Sequence, residues 1–298
     1  MIIKPMVNNK FWILLFITSV FTSSCSDDTD TNKDDVNLAN NQIANINLSN
    51  QLGLDSGEVK MFTMPTPLQA AATLKIMEVD YNDHLLLDNN VVVSKSDIDL
   101  SLALGMYMTD LGYTTIFNNT QKSLSYANDI QHIMDELPIG YYVNDAFKKS
   151  FKDNLDNQDS LCKIILEGYN DANQYISETE NEGIGLLILT WSFIEGLYLV
   201  TSSDIQIKWV QEYHNILIQQ KLFIDNFLLL LKGYTSNPNI AALHKNLLLL
   251  KITFDEINIY FDEKTESYKL KKPITAKEKE KIRTICSKIR NEITVNLK

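Results

Sequence analysis

The sequence predicts an all-α domain, an irregular bundle of about eight to ten helices, from apolar periodicity and element-bounding residues. Three observations carry that prediction. Only ten glycines and six prolines occur in 298 residues, which indicates long regular elements rather than a many-turned sheet protein. Apolar residues recur at three- and four-residue spacing in segment after segment, commonly opened by Ser, Thr, Asn or Asp. No segment shows convincing strand alternation.

At the start of the chain, Lys4 and Lys10 precede the apolar run Phe11 to Phe21, and the small polar residues Thr22, Ser23 and Ser24 follow it. That order is the order of a secretory signal peptide, assigned to residues 1–24. The apolar run is far shorter than the roughly 20 residues a spanning helix needs. Two small residues ahead of Cys25 resemble the lipobox of bacterial lipoproteins, although Thr22 stands where Leu is usual. The resemblance implies that Cys25 is acylated and becomes the first residue of the mature chain; ordinary cleavage with a free thiol is the alternative. More than one buried acyl chain, at about 0.8 kcal/mol per methylene, gives stable anchoring.

Residues 25–60 are rich in Asp and Asn and poor in apolar side chains, the composition of a flexible tether. Within it, Ser26, Asp27, Asp28 and Asp30 resemble the surface-export signal of Bacteroidota lipoproteins. That implies an outer-membrane location on the cell surface; a merely soluble linker is the alternative. Without residues 1–24 the chain carries 25 basic against 38 acidic side chains, a formal charge of −13. A surface of that sign repels nucleic acid and anionic membrane faces, so nucleic-acid binding is not expected.

Residues 61–298 form the expected helical globular domain. Thr66 is expected to cap a first helix with Pro67 in its first turn, running to about Val79, with a short helix near Asp83 to Leu87. Ser94 or Ser96 opens a stronger segment with Leu100, Leu104, Tyr107 and Leu111 on one face. Thr120 caps the next helix, which Pro138 and Gly140 end after Leu137. Asn144 and Asp145 open a helix to about Leu155, and a turn at 156–159 leads into Ser160 to Glu178. Glu180, Asn181 and Glu182 introduce the segment Gly183 to Thr201. It is the most apolar stretch of the mature chain, yet Thr190, Ser192 and Glu195 interrupt it, so it reads as a buried central helix. A long helix spans 205–232 and Gly233 ends it. Asn237 and Pro238 start another to about Ile257, residues 257–273 are less regular, and Thr275 caps the last helix. Its exposed face carries Lys277, Lys279, Lys281, Arg283, Lys288 and Arg290, read first as a solvated amphipathic face, with contact to an acidic partner or to the chain's own acids as the alternative. No fixed repeat period emerges.

The stretches "MPTPLQAAATLK" at 64–75, "LALGMYMTDLGYTTIFNNTQ" at 102–121, "FKDNLDNQDSL" at 151–161 and "WSFIEGLYL" at 191–199 together resemble a group of uncharacterised all-helical lipoproteins of the Bacteroidota. The resemblance covers roughly residues 60–232. It implies a helical fold and an envelope location, and it brings no activity.

Two carboxylates stand out. Glu195 lies in an apolar helix, where burial raises a carboxyl pKa and suits proton transfer; the alternative is a buried partner, such as a tyrosine or lysine, that fixes helix packing. Asp110 shares a helix face with Tyr107 and Tyr113, which could wall a polar pocket or merely bond a neighbouring helix. With Trp191 these residues make the candidate pocket: Tyr107, Asp110, Tyr113, Trp191 and Glu195. The four histidines have no ligand spacing, and Asp153, Asp156 and Asp159 lack the alternation and turn glycine of a calcium loop. No metal or other cofactor is expected. Cys162 and Cys286 are far apart in sequence and are open to pairing or to ordinary packing. No phosphate-binding glycine loop or nucleophile elbow is present.

The leading expectation is therefore a noncatalytic binding or structural lipoprotein of the envelope, held to the membrane by its lipid and meeting a protein partner or small ligand. The alternative is an enzyme or small-ligand protein with a polar pocket near Glu195 and Asp110. A third, sugar capture, would need Trp191 or Trp209 exposed as a stacking platform.

Overall fold

The computed structural model describes residues 66–88, 96–137, 145–178, 182–264 and 267–294. Cys25, Ser26, Asp27, Asp28 and Asp30 lie outside the described residues, as do Ser94, Pro138, Gly140, Asn144, Glu180 and Asn181, to which helix ends were assigned. Among the described residues the chain forms nine α-helices and one two-stranded hairpin, an all-α multi-helix arrangement.

Helix α1 spans Gln69–Ile76. Thr66 does not cap it with its side chain; the Thr66 carbonyl accepts the Gln69 N–H at 3.1 Å, and Pro67 lies in the turn before the helix. The helix stops short of Val79 because Glu78 adopts a left-handed φ of 53°, a conformation that helices use to terminate. A 3-10 turn, Asp83–Leu85, follows, with the Asn82 side chain accepting from the His84 N–H.

Helix α2 spans Asp97–Ile116 and opens on a capping box, Ser96 accepting from the Asp99 N–H while Asp99 accepts from the Ser96 N–H. Asn119, not Thr120, caps α3 (Thr120–Glu136), because the Asn119 amide oxygen is the acceptor for the Lys122 N–H at 3.1 Å. Helices α4 (Asp145–Asp153) and α5 (Gln158–Glu178) follow, the second beginning before Ser160 since Asn157 accepts the Ser160 N–H. Next come α6 (Glu182–Ser202), a 3-10 turn at Ile207–Trp209 in place of the expected helix start at 205, and α7 (Val210–Leu231). Asn237 caps α8 (Pro238–Asp255) with Pro238 in its first turn.

Residues 257–273 contain strands the sequence did not announce: β1 (Ile259–Asp262) pairs antiparallel with β2 (Ser267–Leu270), Ile259 opposite Leu270. Four-residue strands are too short to show an alternation, and Tyr260 and Phe261 are both exposed although they sit on opposite faces. Helix α9 spans Ala276–Thr294 behind a second capping box, formed by Thr275 and Glu278.

Helix α6 is the hub, packed by α1, α2, α5, α7 and α9. Leu186 to Leu189, Trp191, Phe193, Ile194, Leu197, Leu199 and Val200 are all buried, on every side of it. It is long and apolar enough to cross a membrane, but 83% of its apolar window is buried within the protein, as in a core helix. Its closest neighbour is α2, and glycine sets the approach. A Cβ on Gly105 would lie 2.3 Å from the Ile188 carbonyl oxygen. Thr109 and Ser192 stitch the same crossing, with Ser192 Oγ donating to the Gly105 carbonyl at 2.9 Å and Thr109 Oγ1 to the Ser192 carbonyl at 3.2 Å.

Candidate functional site

The five candidate pocket residues are all buried, and one of them, Glu195, pairs with a cation the sequence had placed on the surface. Arg290 is 7% exposed. It lies on the α9 face shared with Ile282, Cys286 and Ile289, all buried, while Lys277, Lys281 and Lys288 occupy the outer face. Periodicity explains the correction: positions 282, 286 and 289/290 form one inward stripe.

Arg290 and Glu195 form a two-pronged ion pair, Nε to Oε2 at 2.7 Å and Nη2 to Oε1 at 2.9 Å, with Glu195 wholly buried. Burial of two charges is tolerated only with such complete pairing. The partner of Glu195 is thus an arginine rather than a tyrosine or lysine. The guanidinium also stacks on Tyr198, 4.2 Å from the ring centroid, and gives a third bond to the Leu85 carbonyl at 3.0 Å.

That third bond belongs to a larger pattern. Five core side chains, three from α2 and one each from α3 and α9, hold the backbone of residues 82–88. Tyr113 Oη accepts the Asn82 N–H at 3.0 Å, Asp110 Oδ2 accepts the Leu87 N–H at 2.9 Å, Tyr126 Oη donates to the Leu87 carbonyl at 2.6 Å, and Tyr107 Oη donates to the Asp88 carbonyl at 3.0 Å. Arg290 completes the set. An irregular segment leaves backbone groups without ladder partners, and here core side chains supply several of them, although Asn82, Asp83, His84 and Asp88 are themselves exposed. Tyr107, Asp110 and Tyr113 therefore work together as the clamp of this strap.

Asp110 is completely buried, and its second oxygen, Oδ1, makes no hydrogen bond. Its carboxyl is held well above the usual carboxylate range, first by burial and then by the Glu195 charge, with the Leu87 N–H and Arg290 opposing. Burial, followed by the Asp110 charge, also drives the Tyr126 hydroxyl upward. Trp191 is buried against the α2 crossing, its indole N–H enclosed without a partner, so it offers no stacking platform; Trp209 is half-buried. A crevice of about 20 Å³, bordered by Thr66, Gln69, Ser192 and Gly196 among others, is distinct from the five residues and large enough for one water.

Elsewhere, the basic face of α9 is answered by the chain's own acids: Lys281 pairs with Glu256 at 2.5 Å, Arg283 with Glu280 at 2.6 Å and Lys288 with Glu292 at 3.8 Å. Lys279 is half-buried rather than on the outer face, donating to the Ser203 carbonyl and lying over the Tyr213 ring. Cys162 and Cys286 are free thiols; burial pushes Cys162 up to about 12 and raises Cys286 as well, so both are inert packing groups. Among the described residues no three His, Cys, Asp or Glu side chains converge as metal ligands.

Sequence reasoning missed Arg290 and the strap. The inward stripe on α9 and the need of a buried Glu195 for a cation were the signals for the first; the strap carries none, since its partners are backbone atoms. No protein-family model matches the chain, and neither a curated protein nor a solved structure does.

Proposed function

We propose that this chain is a lipid-anchored envelope protein, held at the outer membrane through Cys25, whose helical body is a noncatalytic binding or structural module. The observation that carries the noncatalytic part is the pairing of Glu195. Both of its oxygens are taken by Arg290 inside the core, whereas a general base needs an oxygen within reach of substrate. The anchor part rests on the basic, apolar and small-residue order that ends at Cys25, and display on the cell surface rests on Ser26, Asp27, Asp28 and Asp30. The likeness to uncharacterised Bacteroidota lipoproteins adds to the same reading.

Fractionation tests the anchor: Cys25→Ala should yield unprocessed or soluble chain, and unchanged membrane retention would reject acylation. Recovery of the tethered protein from intact envelopes, with mass spectrometry of proteins and small molecules together, tests the module. A reproducible protein partner or an unaltered small ligand supports it; turnover of a recovered small molecule by the purified chain counts against it.

A further inference from the structure

The lead-in to α9, residues 271–275, is irregular, and a side chain of α7 holds its backbone. The Lys271 N–H donates to the Asn258 carbonyl at 2.9 Å at the base of the hairpin, Pro273 has no N–H to give, and Thr275 bonds forward into its capping box with Glu278. The Ile274 N–H instead donates to Nε2 of His214 at 3.3 Å, and the Ile274 side chain packs on the core. His214 is 5% exposed. An imidazole accepts at Nε2 only while its one hydrogen sits on Nδ1; an imidazolium carries hydrogens on both nitrogens and accepts nothing. Protonation of His214 therefore removes this bond outright and sets a cationic N–H against the Ile274 N–H.

We propose that His214 is a pH-sensitive latch: neutral, it holds the lead-in to α9 against α7, and on taking up a proton it releases residues 271–275. The proton comes from solvent and occupies the Nε2 lone pair that Ile274 had used. One turn away on α7 the neighbours of His214 are Val210, Gln211, Leu217 and Ile218, none of them charged, and Glu212 projects from the far side of the helix. The charged groups on the elements packed against α7 are engaged with one another. Lys208 of the 3-10 turn pairs with Glu78, Lys251 and Asp255 of α8 with Asp225 and Lys221, Lys269 of β2 with Asp262, and Glu195 of α6 with Arg290. Beside the lead-in, Lys272 pairs with Glu278, and Lys279 donates to the Ser203 carbonyl over the Tyr213 ring. Lys232 stands at the opposite end of α7. The cause that acts on His214 is burial, and it opposes the charged form.

The sign follows from linkage. An imidazole whose folded pKa lies below its unfolded value of about 6.5 binds a proton less tightly when folded. The stability it contributes is present above the unfolded value and is lost as pH falls through the folded one. Between those limits the folding equilibrium constant falls about tenfold per unit drop in pH relative to a variant that takes up no proton.

His214→Gln supplies that variant, since its amide oxygen can accept from Ile274 in the place of Nε2 and does not titrate. Denaturant unfolding of the full chain in detergent, from pH 5 to 8, should show the wild type losing ground to the variant as pH falls below about 6.5, while His84, His132 and His244 titrate in both chains and cancel. Exchange of the Ile274 amide, corrected for intrinsic rate, should accelerate with falling pH in the wild type alone. Parallel pH profiles would overturn the proposal. If the variant does not fold, magnetic resonance of the wild-type chain with ¹⁵N-labelled histidine decides. A hydrogen on Nδ1 at pH 8, and a midpoint below about 6.5 that the Ile274 amide shift follows, support the latch; a hydrogen on Nε2 at pH 8, a midpoint at or above that value, or an Ile274 amide that does not respond would refute it.

Discussion

Arg290→Met is the most informative single change, because it removes a cation from a fully enclosed anion. The variant deletes the bonds at 2.7 and 2.9 Å to Glu195 and the 3.0 Å bond to the Leu85 carbonyl. Breaking a buried pair by removing one partner costs about 3–5 kcal/mol, and the stranded Leu85 carbonyl adds about 1–3 kcal/mol of desolvation. Methionine retains part of the packing against Tyr198, and the terms overlap, so a loss of about 4 kcal/mol is expected. For a domain of this size that corresponds to a Tm lower by roughly 8–16 °C. The double variant Glu195→Leu with Arg290→Met removes both charges and keeps only the stranded carbonyl, and should lie within about 2 kcal/mol of wild type. Urea unfolding of the four chains closes the cycle: with Glu195→Leu alone costing about 3–5 kcal/mol, the coupling should be about 5–7 kcal/mol. A single variant within about 1 kcal/mol of wild type, or strictly additive losses, would refute the view that the pair is buried and mutually dependent.

Two further outcomes concern the frame around that cluster. Gly105→Ala should destabilise the chain by about 1–3 kcal/mol or more, since its Cβ would meet the Ile188 backbone oxygen at 2.3 Å and only movement of α2 from α6 relieves the clash; thermal unfolding at unchanged Tm would show that the crossing is looser than described. Ser96→Ala removes one half of the α2 capping box and should cost about 1 kcal/mol by urea titration, with faster amide exchange at Asp99; loss of neither would remove the cap from the account.

Much of the helical frame was legible in the chain because its cues are local. Apolar spacing marks each helix face, Asn237–Pro238 and Thr275 mark helix starts by their own side-chain and ring chemistry, and Gly233 falls in the turn after α7. Errors at Thr66 and Thr120 arose where a neighbouring group, the Thr66 carbonyl or the Asn119 side chain, won the same orphan N–H. The candidate site was half legible. A carboxylate in each of two apolar helices could be seen, yet what each would touch could not.

The sequence by itself determined that the fold is of the all-α class and that Gly183 to Ser202 must be enclosed, because a helix apolar on every side has no face to give to water. Only the tertiary structure decided that Arg290 turns inward to Glu195, that Asp110 meets the peptide of Leu87, and that five side chains from α2, α3 and α9 hold residues 82–88. Those partners lie up to 205 residues apart, and three of the contacts run to backbone carbonyls, which every residue type carries alike.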